Sequence, residues 1–99
     1  MPIIYHVTTP ADWDMALQKG FYEHPSLAAE GFIHCSHEHQ VAGVLERYFA
    51  GQTSLIKLVI DTDKLTSKFV FDWSPSLADT FPHVYGPINT DAVIDVIGI

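Results

Sequence analysis

The stretch GFIHCSHEHQVAGVLERYFAG, residues 31–51, changes its hydrophobic period partway along, and that change decides the fold class. Phe32, Ile33, His34, Cys35 and Ser36 form a short β-branched and aromatic run that reads as a strand. From Val41 on, the residues Val41, Val44, Leu45, Tyr48 and Phe49 fall at i, i+3, i+4, i+7 and i+8, the mark of an amphipathic helix. Ser36 is read as its cap and Gly51 as its end.

Outward toward the N-terminus, Ile3–Thr8 reads as a strand halted by Thr9-Pro10. Thr9 is an N-cap, Pro10 sits at N1 where its missing N–H costs nothing, and Asp12 faces the positive end of the helix dipole. That helix should turn Trp13, Met15, Ala16 and Leu17 inward and stop at Lys19-Gly20. Residues 21–31 should hold a turn after Pro25 and a short helical piece capped by Ser26 and closed by Gly31. Toward the C-terminus, Ser54–Ile60 is a strand exposing Lys57 at most, and Asp61–Leu65 a turn. Phe69–Phe71 is a strand ending near Trp73, residues 74–80 are a loop, and Ala92–Ile99 is a closing strand. Pro82 makes Phe81–Tyr85 an edge or irregular strand. Helices early and strands late give one α+β domain over residues 1–99.

Composition bounds the function. The chain has 99 residues, 47% of them hydrophobic, enough for one core without disulfides or metal. Twelve acidic and five basic residues give a net charge of −7, a poor match to duplex nucleic acid or an anionic membrane. No apolar run approaches the roughly 20 residues of a membrane span, and the opening MPIIYHVTTP has no basic n-region. With a single cysteine, Cys35, the expected compartment is the cytoplasm. Oligomeric state is not legible.

Six histidines are the outlying feature of the composition. His6, His34 and His83 each lie in a strand-like run and share a face with the hydroxyl-bearing residue two positions on, namely Thr8, Ser36 and Tyr85. An imidazole offers one donor and one acceptor when neutral, so three such pairs can line a polar cleft for sugar hydroxyls or phosphate oxygens. The competing reading of each is a buried, hydrogen-bonded structural histidine. The run His34–His39 holds zinc-type ligands, but His37 and His39 in one helical turn would sit about 200° apart, so no metal site is expected. Cys35 points away from His34 and reads as a small buried hydrophobe. No glycine-rich phosphate loop is present, which leaves the helix starts at Thr9-Pro10 and Ser36 as places for an anion. Trp13, Phe49, Phe69 and Phe71 are expected in the core, while Trp73 and Tyr85 flank the 74–80 loop and can stack on a base or nicotinamide.

Ile4–Thr8, Gly31-Phe32-Ile33-His34-Cys35-Ser36 and Phe81-Pro82-His83-Val84-Tyr85-Gly86-Pro87-Ile88-Asn89 together resemble the uncharacterised bacterial domain-of-unknown-function 952 family. The resemblance implies an ADP-ribosyltransferase-like fold, two small mainly antiparallel sheets around a cleft that in relatives holds NAD. The opening Tyr5-His6 strand, the helix and the His34-Cys35-Ser36 strand also look like the start of RNA 2′-phosphotransferases. By that resemblance His6 hydrogen-bonds a ribose, and His34 and Ser36 bind ribose or phosphate. Two departures stand out. Beyond Glu46 there is no glutamate to stabilise a ribosyl cation, Asp91 being the nearest stand-in, and the one arginine, Arg47, lies outside the histidine motifs.

Three functions follow as expectations. The first is a nucleotide-dependent transferase or hydrolase, with an NAD-like cofactor or substrate, in which His34 and His83 move protons and His6, Thr8, Ser36, Tyr85 and Trp73 bind ligand. The second is a binding module of the same fold without catalysis. The third is a homo-oligomerising structural domain whose histidines are merely buried.

Overall fold

Thr9 divides the first two elements as its neighbours require. The computed structural model, which describes residues 2–99, ends β1 (Ile3–Thr8) there and starts α1 (Pro10–Lys19). Met1, part of the opening read for a leader, lies outside the described residues. The Thr9 hydroxyl accepts from the Asp12 N–H at 3.2 Å, and Gly20, at φ 87°, closes the helix in the left-handed region. Only Ala16 of α1 is buried, with Trp13 packed beside it; Met15 and Leu17 are exposed, contrary to expectation. They flank Ala16 by about 100° on either side, so a helix lying flat on one face cannot bury all three.

After β2 (Phe21–Tyr22), α2 (Pro25–Glu30) is capped by the His24 imidazole, which accepts from the Ser26 N–H, and not by Ser26. Ser26 is instead inside the helix, buried, donating to the Phe32 carbonyl. The second expected helix cap also moves. Ser36 exchanges both backbone hydrogen bonds with Tyr5, at 2.8 and 2.7 Å, so the chain is still extended there. His37 begins a 3₁₀ turn over Glu38–Gln40, and α3 (Val41–Tyr48) follows. Val41 is buried and Val44, Leu45 and Phe49 pack beside Val7 and Leu55, but Tyr48 is 64% exposed.

The strands β3 (Ile33–His34), β4 (Ile56–Asp61), β5 (Phe69–Ser74), β6 (Asp79–Val84), β7 (Ile88–Asn89) and β8 (Val93–Gly98) complete the described elements. They form three antiparallel sheets where two were expected, ordered β1-β4-β8, β2-β7 and β3-β6-β5. The expected loop at 74–80 is a tight hairpin instead, with Ser74 opposite Asp79 and only four residues in the turn. β6 is a central strand despite Pro82. The Pro82 carbonyl accepts from the Cys35 N–H, so its missing donor lies on the same side, where the two-residue β3 has just ended.

One core serves all three sheets. Ile4, Leu58 and Ile60 of the first, Tyr22 and Ile88 of the second and Ile33 and Val84 of the third meet Cys35 and Ala92. Phe69 packs against this cluster, but Phe71 is 49% exposed, on the outer stretch of the β5–β6 hairpin against His37. No helix among the described residues is long and apolar enough to cross a membrane. The Tyr5–Ser36 bridge ties the first sheet to the third, and His6, His24, His34 and His83 line the groove beside it.

Candidate functional site

A cleft of about 660 Å³ opens where α3 and the β5–β6 hairpin face the Tyr5–Ser36 junction, a volume suited to a small molecule. His6, His24, His34, His83, Arg47 and Trp73 all line it.

Strand register brings two of the expected residues together. His34 and His83 are directly opposed on β3 and β6, with ring centroids 5.1 Å apart and nearly perpendicular. Each ring has one nitrogen held by a carboxylate. His34 Nε2 lies 2.8 Å from Glu30 Oε2, and His83 Nδ1 lies 2.7 Å from Asp72 Oδ2. A carboxylate only accepts, so each of these ring nitrogens donates, and in the neutral imidazole the other nitrogen carries the lone pair. Among the described residues, neither His34 Nδ1 nor His83 Nε2 has a hydrogen-bond partner. The Phe32 ring stacks on His83 at 4.0 Å and sets its plane.

Tyr85 acts behind this pair and does not line the cleft. Its hydroxyl donates to the same Asp72 oxygen that His83 uses. That bond, with the one from His83, holds the Asp72 carboxyl below the usual carboxylate range, while the carboxylate pushes the Tyr85 phenol up. The expected pairing of His83 with the hydroxyl two residues on is therefore not direct, because Tyr85 and His83 meet through Asp72.

His6 is at the floor and turned inward. Its Nδ1 donates to the His34 carbonyl at 2.6 Å, and its Nε2 is 2.8 Å from the Tyr22 hydroxyl, itself 3.0 Å from Thr8 Oγ1. Both ring nitrogens are spent, and burial lowers its pKa to about 4. Burial likewise raises the Tyr22 phenol to about 12, so this chain of groups stays neutral. His6 lines the cleft with both ring nitrogens already bonded, and Thr8, 4% exposed, does not line it, so neither presents a free group for the hydrogen bond to a ligand expected of them. Ser36 does reach the cleft wall, but its N–H is bonded to Tyr5 and cannot hold an anion. The Thr9-Pro10 turn is outside the cleft. Trp73, 61% exposed, stands on the rim where a planar group can stack.

Burial raises the Cys35 thiol far above its ordinary pKa, so no thiolate nucleophile is available. His37 and His39 stack with parallel rings 5.8 Å apart, where opposite sides of a helix were expected, because His37 precedes the 3₁₀ turn. Among the described residues no three His, Cys, Asp or Glu side chains gather to hold a metal ion. Asp91, the stand-in for a late glutamate, is exposed beside Asn89 and away from the cleft.

Four contributors escaped sequence reasoning. His24 lay in an aperiodic segment, and Glu30 and Asp72 are recognisable only once strand and helix ends are placed. Arg47 had a usable signal: it precedes Tyr48 by one residue, at the border of the apolar stripe of α3.

Solved structures resemble this chain along nearly its full length. The crystal structure of protein CC0527 from Caulobacter crescentus is 29% identical with a TM-score of 0.86, covering 96% of this chain and 83% of that one. A double mutant of the same protein gives 28% and 0.86 over the same shares. The solution NMR structure of CC0527 is 29% identical with a TM-score of 0.83, covering 100% of this chain and 85% of that one. No curated protein matches the chain. A family model described as "Protein of unknown function (DUF952)" matches residues 7–96, and the chain belongs to that family.

Proposed function

We propose that the cleft binds a nucleotide of the NAD or ADP-ribose type and acts on it as a transferase or hydrolase, on an ADP-ribosyltransferase-like plan. The observation that carries this reading is the opposed His34–His83 pair, each ring oriented by a carboxylate and each with one unpartnered nitrogen. This arrangement suits general acid–base work: the carboxylate selects the tautomer, and the free nitrogen takes a proton from an attacking water or acceptor hydroxyl. His83 is the more firmly oriented of the two, because Asp72 accepts from its Nδ1 and Phe32 stacks on the ring. Trp73 on the rim receives the base or nicotinamide, and Ser36 and His24 are near enough to meet sugar hydroxyls. A lone, sealed cysteine agrees with a cytoplasmic setting.

The second reading, binding without turnover, is favoured by one feature: the cleft holds no activated nucleophile and its carboxylate Glu30 is already engaged by His34. Titration of labelled protein with NAD and ADP-ribose, followed by product analysis, separates the two. Saturable shifts at His34 and His83 with release of nicotinamide support catalysis, and shifts without product support the module. If neither compound binds at millimolar concentration, the nucleotide reading is wrong. His83→Ala is expected to abolish turnover and to weaken binding by roughly 10-fold or more.

A further inference from the structure

The only arginine of this acidic chain lines the cleft, and its guanidinium lies over a glycine. Arg47 and Gly43 are four residues apart on α3, so they share a helix face, and a helical side chain leans toward the N-terminus over the residue one turn back. The guanidinium follows that course. A Cβ built on Gly43 would stand 2.9 Å from Arg47 Nη1 and 3.5 Å from both Cζ and Nη2. A β-carbon there would push the flexible end of Arg47 off this course, so the bare surface at Gly43 is what lets the guanidinium lie where it does.

The guanidinium is also uncommitted. Twelve acidic residues are present, yet none among the described residues is within ion-pair distance of Arg47. Its neighbour Glu46 is turned about 100° away around the helix. Glu30, the carboxylate of the cleft wall, is taken by His34. Arg47's one aromatic neighbour is the Tyr48 ring, 5.7 Å from Cζ. A planar fork of donors at the mouth of a cleft, without an internal anion, is suited to bidentate capture of an oxyanion.

We propose that Arg47, laid across Gly43, is the anion-docking residue of the cleft and that it receives a phosphoryl group of the ligand, with Gly43 as its positioning residue. The phosphoryl class rests on the nucleotide reading above; the oxyanion dock rests on the geometry of α3 alone. Trp73 and Arg47 on the same cleft then divide the ligand between them, the planar end at the tryptophan and the charged end at the guanidinium.

The test is a set of NMR titrations of wild type, Arg47→Met and Gly43→Ala with inorganic pyrophosphate, ADP-ribose, adenosine and succinate. Arg47 is exposed, and the melting temperature of each variant is measured first to check that it folds. Wild type is expected to bind pyrophosphate and ADP-ribose with shifts at residues 43–48. Arg47→Met should weaken both by roughly 10- to 100-fold and leave adenosine unchanged. Gly43→Ala, which keeps the charge but displaces it, should weaken both several-fold. ADP-ribose binding that survives Arg47→Met intact overturns the dock and leaves the nucleotide reading standing. Arg47-dependent binding of pyrophosphate without any binding of ADP-ribose supports the dock and removes the nucleotide reading. Succinate held as tightly as pyrophosphate overturns the phosphoryl assignment, and a wild type that takes up no anion overturns the proposal outright.

Discussion

His6 is where the apolar interior meets the polar cleft, and its chemistry follows from that position. The residue is 6% exposed, its two ring nitrogens are both bonded, and its pKa falls to about 4 because a buried imidazolium would lose its hydration. In the unfolded chain the same ring protonates near 6.5. Between these values the unfolded state binds the extra proton, so stability is complete above pH 6.5 and is lost as pH falls toward 4. The gap is worth about 3 kcal/mol at its full extent. His24, also lowered by burial, adds in the same direction. Urea denaturation at pH 7 and pH 4.5 should show this loss in wild type, and His6→Gln, less stable at pH 7, should show a visibly smaller one. Equal pH dependence in the two proteins would mean that His6 is not held neutral. Its burial was legible as the bland alternative for a histidine in an apolar strand. What was not legible was its partner, because Tyr22 reaches it from a two-residue strand too short to leave a period.

At the scale of elements, the end of α1 and the turn of the β5–β6 hairpin make the same demand on the backbone and meet it with different residues. Gly20 occupies the left-handed region where it ends α1, and Ala78 occupies the same region, at φ 51°, in the hairpin turn. A β-carbon there costs about 1–2 kcal/mol. Gly20→Ala should therefore destabilise by about 1 kcal/mol, while Ala78→Gly should be neutral or stabilise by up to about 1 kcal/mol, the relief being offset in part by the entropy of a freer unfolded chain. Paired thermal melts read the sign of each, and a stabilising Gly20→Ala would refute the assignment of that cap. The contrast also shows what local pattern conveys. Thr9-Pro10 and Lys19-Gly20 bounded α1 correctly because capping is a local act, carried by residues within one turn. The start of α3 was misplaced because Ser36 has a long-range competitor, the Tyr5 backbone, which keeps it extended for one residue more. Over residues 74–80 the sequence after Trp73-Ser74-Pro75 points to a loop, whereas cross-strand pairing carries β5 to Ser74 and starts β6 at Asp79.

For the whole molecule, the division of labour between sheets explains why the cleft was half visible. Register with period two placed His34 and His83 on one face of the third sheet, but only the meeting of α2, β5 and α3 supplies Glu30, Asp72 and Arg47. Glu30 is only four residues from His34 and Asp72 eleven from His83, but a helix end before a strand and a hairpin between two strands bring them together, and neither spacing belongs to a hydrophobic period. The same meeting predicts how the protein unfolds. Leu58 is fully buried on β4, the central strand of the first sheet, directly opposite His6 on one side and Val96 on the other. It belongs to a single cluster that also contains Ile33 and Val84 of the third sheet. Leu58→Ala should cost about 2–5 kcal/mol, a large share of the roughly 5–15 kcal/mol of a domain this size. Because the cluster is shared, that loss cannot stay in the first sheet. In a Trp13→Phe background, Trp73 fluorescence reports the β5–β6 hairpin alone, and far-ultraviolet circular dichroism reports every element. With Leu58→Ala the two midpoints should fall together and by the same amount. A Trp73 transition that stays at the wild-type midpoint while the dichroism shifts would mean that the sheets are separately stable, and that the cleft between them is a seam and not the wall of one core.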